Sequence, residues 1–284
     1  MPPIFSAKRG WKYYRNLNLF ALLLVVIAVN FILPAYDAYG ALRPTRFPIG
    51  EVSPADLGLK YSEVSLATQD GLQLQGWYAP SANRAAVILV HAFNGNRTST
   101  LHHAELLARY GYGVLLFDTR SQGESGGGLY AMGRDAYQDV LAAPDYLQTR
   151  PDVDPERIGV VGFSAGAKIA LYAAAESNRI AAVVAEGCGY PTLDDWFYGT
   201  DPAYRIWTPS RWVTFTLLKA ATGIWNPTPM REAVARIFPT PILPIAAGRD
   251  RLYNQHYFDA AMEPKENWFR DEPGHIDALF THPD

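Results

Sequence analysis

The chain reads as an α/β protein, a mostly parallel sheet with helices on both faces, preceded by one transmembrane helix. Three observations predict this. From residue 61 onward, short apolar β-branched runs alternate with segments of helical periodicity. Several of those runs, Ala86–Val90 among them, are apolar at nearly every position, as strands buried on both faces must be. Near the amino terminus, residues 17–35 form an uncharged apolar stretch whose strongly polar members are Asn18 and Asn30.

Nineteen residues at a rise of ~1.5 Å each reach about 28 Å, close to the ~30 Å hydrocarbon core of a bilayer. Residues 1–16 carry Lys8, Arg9, Lys12 and Arg15 with no acid among them, whereas Arg43 and Arg46 beyond the stretch are offset by Asp37 and Glu51. The positive-inside rule then places a basic tail, 1–16, in the cytoplasm and the rest of the chain across the membrane, with the transmembrane helix at 17–36. Trp11, Tyr13 and Tyr14 at one end and Tyr36 and Tyr39 at the other suit the two interfacial belts. A cleaved signal peptide is the competing reading: Ala38-Tyr39-Gly40 is a passable cleavage site, and the domain would then be secreted. A buried core helix is the third, disfavoured for an uncharged run at the extreme terminus. Residues 37–60 hold three prolines and three glycines and read as a linker.

The domain follows from 61 to 284. Residues 62–68 and 72–78 read as two strands joined at Gln69-Asp70-Gly71, a hairpin signal. Strands are expected next at Ala86–Val90, Gly113–Phe117, 158–161, 181–185, 241–247 and 267–269, with helices at 98–110, 134–147 and 165–175. About 187–240 breaks the alternation. It holds four of the seven tryptophans, Trp196, Trp207, Trp212 and Trp225, and reads as an aromatic cap inserted over one edge of the sheet. Such a cap either supplies an apolar acyl pocket or simply packs on the sheet.

Composition narrows the function. One cysteine cannot form an internal disulfide, so a disulfide scaffold is excluded. The net charge is −3; because the first sixteen residues carry +4, the remainder is acidic at −7. No basic run tracks a phosphate backbone, so nucleic acid is not an expected partner. No metal-ligand spacing and no Gly-x-Gly-x-x-Gly occurs, and the glycines of 159–166 have the wrong spacing. No cofactor and no metal are expected.

Gly162-Phe163-Ser164-Ala165-Gly166 directly follows an expected strand and opens a helix, the context a Gly-x-Ser-x-Gly nucleophile elbow requires. The pentapeptide alone would equally be a Gly-Ser turn; strand, pentapeptide and helix together are specific. Serine needs a base and the base an orienting acid. Of six histidines, His275 lies in a turn directly after the last strand. Asp250 follows the strand at 241–247. Both therefore fall at carboxyl ends of strands, as Ser164 does. His256 falls on the helix after Asp250, His282 beyond the last element, and His102 and His103 on a helix surface. Asp250 competes with a loop role paired to Arg249, and Asp194 or Asp195 is the rival acid. The N–H groups of Ala165 and Phe93 are the candidate oxyanion donors, with His91 a structural loop residue and Asp118 a loop-fixing acid.

With these residues in view, the region from about Pro54 to His275 resembles the α/β-hydrolase superfamily, in the branch of serine-aminopeptidase-like and dienelactone-hydrolase-like proteins that includes membrane-anchored members. The matching features are Asp70-Gly71, His91 with Asn94-Gly95-Asn96, Asp118-x-Arg120-x-x-Gly123-x-Ser125, Gly162-x-Ser164-x-Gly166, Gly248-x-Asp250 and Gly274-His275. The resemblance implies a covalent acyl-enzyme in which Ser164 attacks a carbonyl, His275 shuttles the proton and Asp250 orients His275. The expected activity is a carboxylesterase-like serine hydrolase acting on a small-molecule or lipid acyl substrate. Peptidase, thioesterase, lipase and acyltransferase share the scheme; a catalytically silent binding module is the reading from another class. Three departures stand out. Ala92 takes the place of a usual glycine, which puts a methyl group in the oxyanion loop. Serine replaces the cysteine of dienelactone hydrolases, leaving Cys188 as a small buried or hinge residue. Nine residues follow His275, where a fuller closing helix is usual, as if the sequence were shortened or the domain ended early.

Overall fold

A computed structural model describes residues 10–130 and 133–282. Eight strands form one sheet: β1 (Ser62–Ala67), β2 (Gln73–Ala79), β3 (Ala86–Val90), β4 (Gly113–Phe117), β5 (Ile158–Phe163), β6 (Ala182–Glu186), β7 (Ile242–Ala247) and β8 (Trp268–Arg270). Their spatial order is β1-β2-β4-β3-β5-β6-β7-β8. β1 and β2 form the expected hairpin, β2 runs antiparallel to β4, and every later pair is parallel. The expected strands are all present, with ends shifted by at most two residues.

The near-continuous apolar strands are explained by helices on both faces. Along β3, Ile88 and Val90 point to the larger core, which α4 (Tyr137–Leu147), α5 (Ala165–Glu176), α8 (Met230–Val234) and α9 (Asp250–Ala260) cover. Val87 and Leu89 point the other way, toward Leu101 and Ala104 of α3 (Leu101–Arg109). Beside α3 this second face stays partly open: Val161 and Val184 line a cavity of about 440 Å³.

Two helices start later than their periodicity suggests, and polar anchors are the reason. The expected helix at 98–110 opens as a 3₁₀ turn, Arg97–Thr100, capped by Asn96, because the Arg97 N–H is drawn 2.7 Å to the Asp118 carboxylate. The expected helix at 134–147 begins at Tyr137, because Arg134 is buried and donates to the Pro191 carbonyl. His103 is a correction: it does not lie on the surface but packs against Phe163 at 4.3 Å, and burial pulls its pKa down to about 4.

The apolar amino-terminal segment is a continuous helix, Trp11–Leu42, made of α1 (Trp11–Ile27), a π-helical turn (Ala28–Ile32) and α2 (Leu33–Leu42). It is long and apolar enough to cross a membrane. Lys8 and Arg9 of the basic tail lie outside the described residues. The helix overruns the expected linker boundary by six residues, since α2 is packed rather than free. Ala38 is buried with Trp196, Phe215 and Leu218, and the Leu42 carbonyl accepts the Tyr130 N–H at 2.8 Å.

Between β6 and β7 the chain forms α6 (Leu193–Gly199), a 3₁₀ turn (Pro202–Trp207), α7 (Thr208–Thr222) and α8. These divide into two parts. Met230, Ala233 and Val234 of α8 belong to the main core, and the Met230 N–H is anchored by Asp195. The aromatic part before it forms the cap. Trp196 is buried, while Trp207, Trp212 and Trp225 are 46%, 58% and 57% exposed, so most of the tryptophan face is turned away from the sheet.

A buried ion cluster fastens the loop after β4. The Arg120 guanidinium pairs with Asp139, which is fully buried, and with Asp70 and Asp135 at its margin. Burial pushes the Asp139 carboxyl up to about 6 against the pull of Arg120. Removing one partner of such a pair leaves an uncompensated buried charge. Arg120→Met should therefore lower stability by ~3 kcal/mol or more, read as a drop in the thermal midpoint of the detergent-solubilised chain; an unchanged midpoint would show that Arg120 stabilises nothing.

Candidate active site

The site begins at the junction of β5 and α5. Ser164 adopts φ 55° and ψ −106°, a conformation a non-glycine residue rarely holds. Packing enforces it. A Cβ on Gly162 would collide with the Gly166 carbonyl, and one on Gly166 with the Val90 carbonyl of β3. Only glycines let α5 pass so close to the sheet. The Ser164 N–H is fixed by the Glu186 carbonyl at the end of β6, at 2.8 Å. Ser164 stands at the N-cap position of α5, yet its hydroxyl makes no capping bond. It points instead to His275.

His275 Nε2 lies 2.9 Å from Ser164 Oγ, and Nδ1 bonds the Asp250 carboxylate. Residues 111 and 25 positions apart in sequence thus meet at one sheet edge, because β5, β7 and β8 are parallel and end together. The hydrogen bond to Asp250, helped by its charge, raises the His275 pKa against a lowering by partial burial. His275 is 51% exposed and Asp250 20%, so the pair opens to solvent on one side. Arg249 does not pair with Asp250; its guanidinium lies over the Tyr204 ring. The rival acids are elsewhere: Asp195 is taken up by Thr192 and the start of α8, and Asp194 lies beside it at the start of α6. His256 sits on α9 beside Tyr198, and His282 accepts from Arg270 at 3.0 Å.

Phe93 and Ala165 flank the serine. Val90 pairs with Gly162 in the sheet, so the loop leaving β3 emerges directly beside the elbow. The Ala165 N–H, first in its helix, has no intrahelical acceptor. The Phe93 N–H makes none of the hydrogen bonds found among the described residues. His91 fixes this loop. Its Nε2 accepts the Thr119 N–H at 3.1 Å, so the proton sits on Nδ1, which donates to the Ala92 carbonyl at 2.7 Å. Burial lowers the His91 pKa and keeps that neutral form. The Ala92 methyl is accommodated against the Trp77–Leu89 cluster. Asp118 is fully occupied by Arg97 and the Glu124 N–H. Cys188 is buried, and burial pushes its thiol up.

Several supporting residues escaped the sequence reading. Glu186 serves both sides: its carbonyl holds Ser164, and its carboxylate accepts the Ala278 N–H at 2.8 Å beside the His275 turn. Arg270 braces the same turn through Asp277 at 2.8 Å. Gly187, at φ 65°, leaves room for the imidazole; a Cβ there would lie 3.0 Å from the His275 ring. The only sequence signal for these residues was position, at the carboxyl end of β6 and just after β8. Among the described residues no group of three His, Cys, Asp or Glu side chains is placed to hold a metal ion. The cap leaves a cavity of about 340 Å³ over the start of α9, lined by Trp196, Trp207, Tyr253 and the side chains of Arg211 and Arg249.

Comparison with known proteins agrees with this fold. The profile of the alpha/beta hydrolase fold family matches residues 85–220. The uncharacterized protein MT2364 of Mycobacterium tuberculosis is 31% identical over 222 residues, 76% of this chain and 72% of that protein. Thiohydrolase aneE of Aspergillus aculeatus is 36% identical over 132 residues, which span 44% of this chain but 40% of the relative. The esterase Pf2001 of Pyrococcus furiosus superposes with a TM-score of 0.65 at 26% identity, covering 85% of this chain and 94% of the esterase. The chain belongs to the α/β-hydrolase family.

The raised His275 pKa gives a direct check. Its imidazole should titrate above 6.5 in NMR of the full chain, and Asp250→Asn should bring the midpoint down, since burial then acts without the carboxylate. A midpoint that does not move would mean that Asp250 does not set the charge of His275.

Proposed function

We propose that this protein is a serine hydrolase that cleaves a carboxylic ester-type bond through a covalent acyl-enzyme. The observation that carries the reading is the pair of bonds made by one imidazole, to Ser164 Oγ at 2.9 Å and to the Asp250 carboxylate. Ser164 Oγ attacks the acyl carbonyl while His275 Nε2 accepts its proton. The negative charge that develops on the carbonyl oxygen is received by the N–H groups of Ala165 and Phe93. The C–O bond to the leaving group breaks, and His275 returns the proton to the departing oxygen. Water, deprotonated by His275, then releases the acid and restores Ser164. Asp250 holds the imidazole in the required tautomer and stabilises its protonated form. A thioester in place of an oxygen ester is the second reading, favoured by the likeness to thiohydrolase aneE. A silent binding module is disfavoured, because each of the three side chains is present and paired.

The amino-terminal helix is proposed as an uncleaved membrane span, with the basic tail cytoplasmic and the domain on the far side. Two observations support it. The helix is continuous through Ala38-Tyr39-Gly40, where a signal peptidase would have to cut. Ala38 is also part of a buried cluster with the cap.

Labelling of the detergent-solubilised full chain with a fluorophosphonate tests the reaction class. Wild type should label, Ser164→Ala should not, and Asp250→Asn should lose roughly 10³–10⁴-fold in turnover at an unchanged melting temperature. Labelling that survives Ser164→Ala would reject the proposal, and near-normal turnover of Asp250→Asn would reject the role given to that carboxylate.

A further inference from the structure

The amino-terminal helix does more than tether the domain, because the cap lies along it. α7 packs against the π-helical turn Ala28–Ile32 as well as against α2. Thr214 Oγ1 donates to the Pro34 carbonyl at 3.4 Å, and Arg211 pairs with Asp37 at 3.6 Å. At a rise of ~1.5 Å per residue, Val26 to Phe31 lie about 8–15 Å before Tyr36, at the exit end of the proposed span. That is well inside a hydrocarbon layer ~30 Å thick. Pro209, Trp212 and Val213 of α7 sit beside Val26, Asn30 and Phe31 and share with them an open cavity of about 630 Å³. A helix spanning the bilayer would therefore carry the first turns of α7 into the lipid. The surface there suits that depth: Ile206 is 77% exposed and Trp212 58%. Asn30 satisfies its own amide by donating to the Val26 carbonyl at 3.0 Å.

The seam between the helix and α7 continues inward. At the Asp37–Arg211 pair the seam holds a second cavity of about 400 Å³, lined also by Tyr36, Gly40, Ala41, Tyr190, Phe215 and Phe93. Tyr190 and Arg211 also border the cap cavity. Two cavities thus lie along the same seam, one at lipid depth and one that reaches Phe93, with the Pro34–Thr214 contact between them. The outer cavity carries no charged residue, and the inner one carries Asp37 and Arg211, which would meet the polar boundary of the membrane. We propose that the substrate is a membrane lipid ester, and that its acyl chain passes from the bilayer to Ser164 along the seam between α2 and α7. This rests on the reading of Ser164 as nucleophile and of the helix Trp11–Leu42 as crossing the membrane with its exit at Tyr36. The chemistry is unchanged: the ester C–O bond breaks as the Ser164 Oγ–C bond forms, and the serine proton passes through His275 to the leaving oxygen. What the seam adds is selection of a long, bilayer-borne acyl group over a soluble one.

Gly40 offers a clean obstruction, since a Cβ there would meet nothing within 4 Å. The full chain is reconstituted in phosphatidylcholine vesicles, and turnover of a hexadecanoyl ester carried in the vesicles is compared with that of a soluble butyryl ester. Gly40→Trp should lower the long-to-short ratio at least tenfold; Gly40→Leu, a smaller plug, should lower it in the same direction if the tryptophan variant does not fold. In the same vesicles, lipids bearing a doxyl group at mid-chain should quench a component of the fluorescence that Trp212→Phe removes. Fluorophosphonate labelling is read alongside. An unchanged ratio in a variant that still labels would overturn the lipid route, as would unquenched Trp212, the result expected if a protein segment rather than lipid filled the seam. A wild-type chain that does not label would end the serine-hydrolase reading, and quenching alone would then decide whether the seam faces lipid.

Discussion

Everything at the site depends on one close approach, that of α5 to the carboxyl ends of β3 and β5. The helix can start there only if no side chain stands at Gly162 or Gly166, and the chain can turn into it only through the unusual backbone of Ser164. The strained residue is held by its neighbours, with the Ser164 N–H bound to the Glu186 carbonyl. The turn that holds Ser164, the proposed nucleophile, also begins α5, whose first N–H groups are without intrahelical acceptors and suit the proposed site for developing negative charge.

The histidine side is built with the same economy of elements. Glu186 holds the elbow with its main chain and the turn after His275 with its carboxylate. Arg270 and Asp277 brace that turn from the other side, and Gly187 clears space for the imidazole. Loops that carry no reacting group are fastened by buried charge: Arg97 with Asp118 beside the loop of Phe93, and Arg120 with Asp139 behind it. Removing one partner of such a pair strands the other as a buried charge, which is costlier than replacing the whole pair by well-packed apolar residues.

The strands were legible because helices cover both faces, leaving runs such as Val-Leu-Leu-Phe with no polar interruption. Ser164, Asp250 and His275 were legible as positions at strand ends, and the structure brings the three side chains into contact. Tertiary anchors were not legible. Arg134 and Arg97 shorten two helices through bonds to carbonyl and carboxylate groups far away in sequence, and periodicity carries no trace of them. His103 looked like a surface residue because its ring partner, Phe163, lies 60 positions on. The linker boundary failed for a related reason: prolines and glycines announce a loop, but Ala38 and Leu42 are recruited by the cap and keep the helix going.

The cap and the amino-terminal helix form one body, and the exposed tryptophans belong to its outer face rather than to a sealed pocket. The central claim remains chemical: acyl transfer passes through Ser164. It is tested most directly by acid-quenching the full chain during turnover of an ester and locating the trapped acyl group by tandem mass spectrometry. The account predicts one acyl group on the Ser164 hydroxyl, lost on Ser164→Ala. An adduct on Cys188 or another side chain, with Ser164 unmodified during sustained turnover, would contradict it.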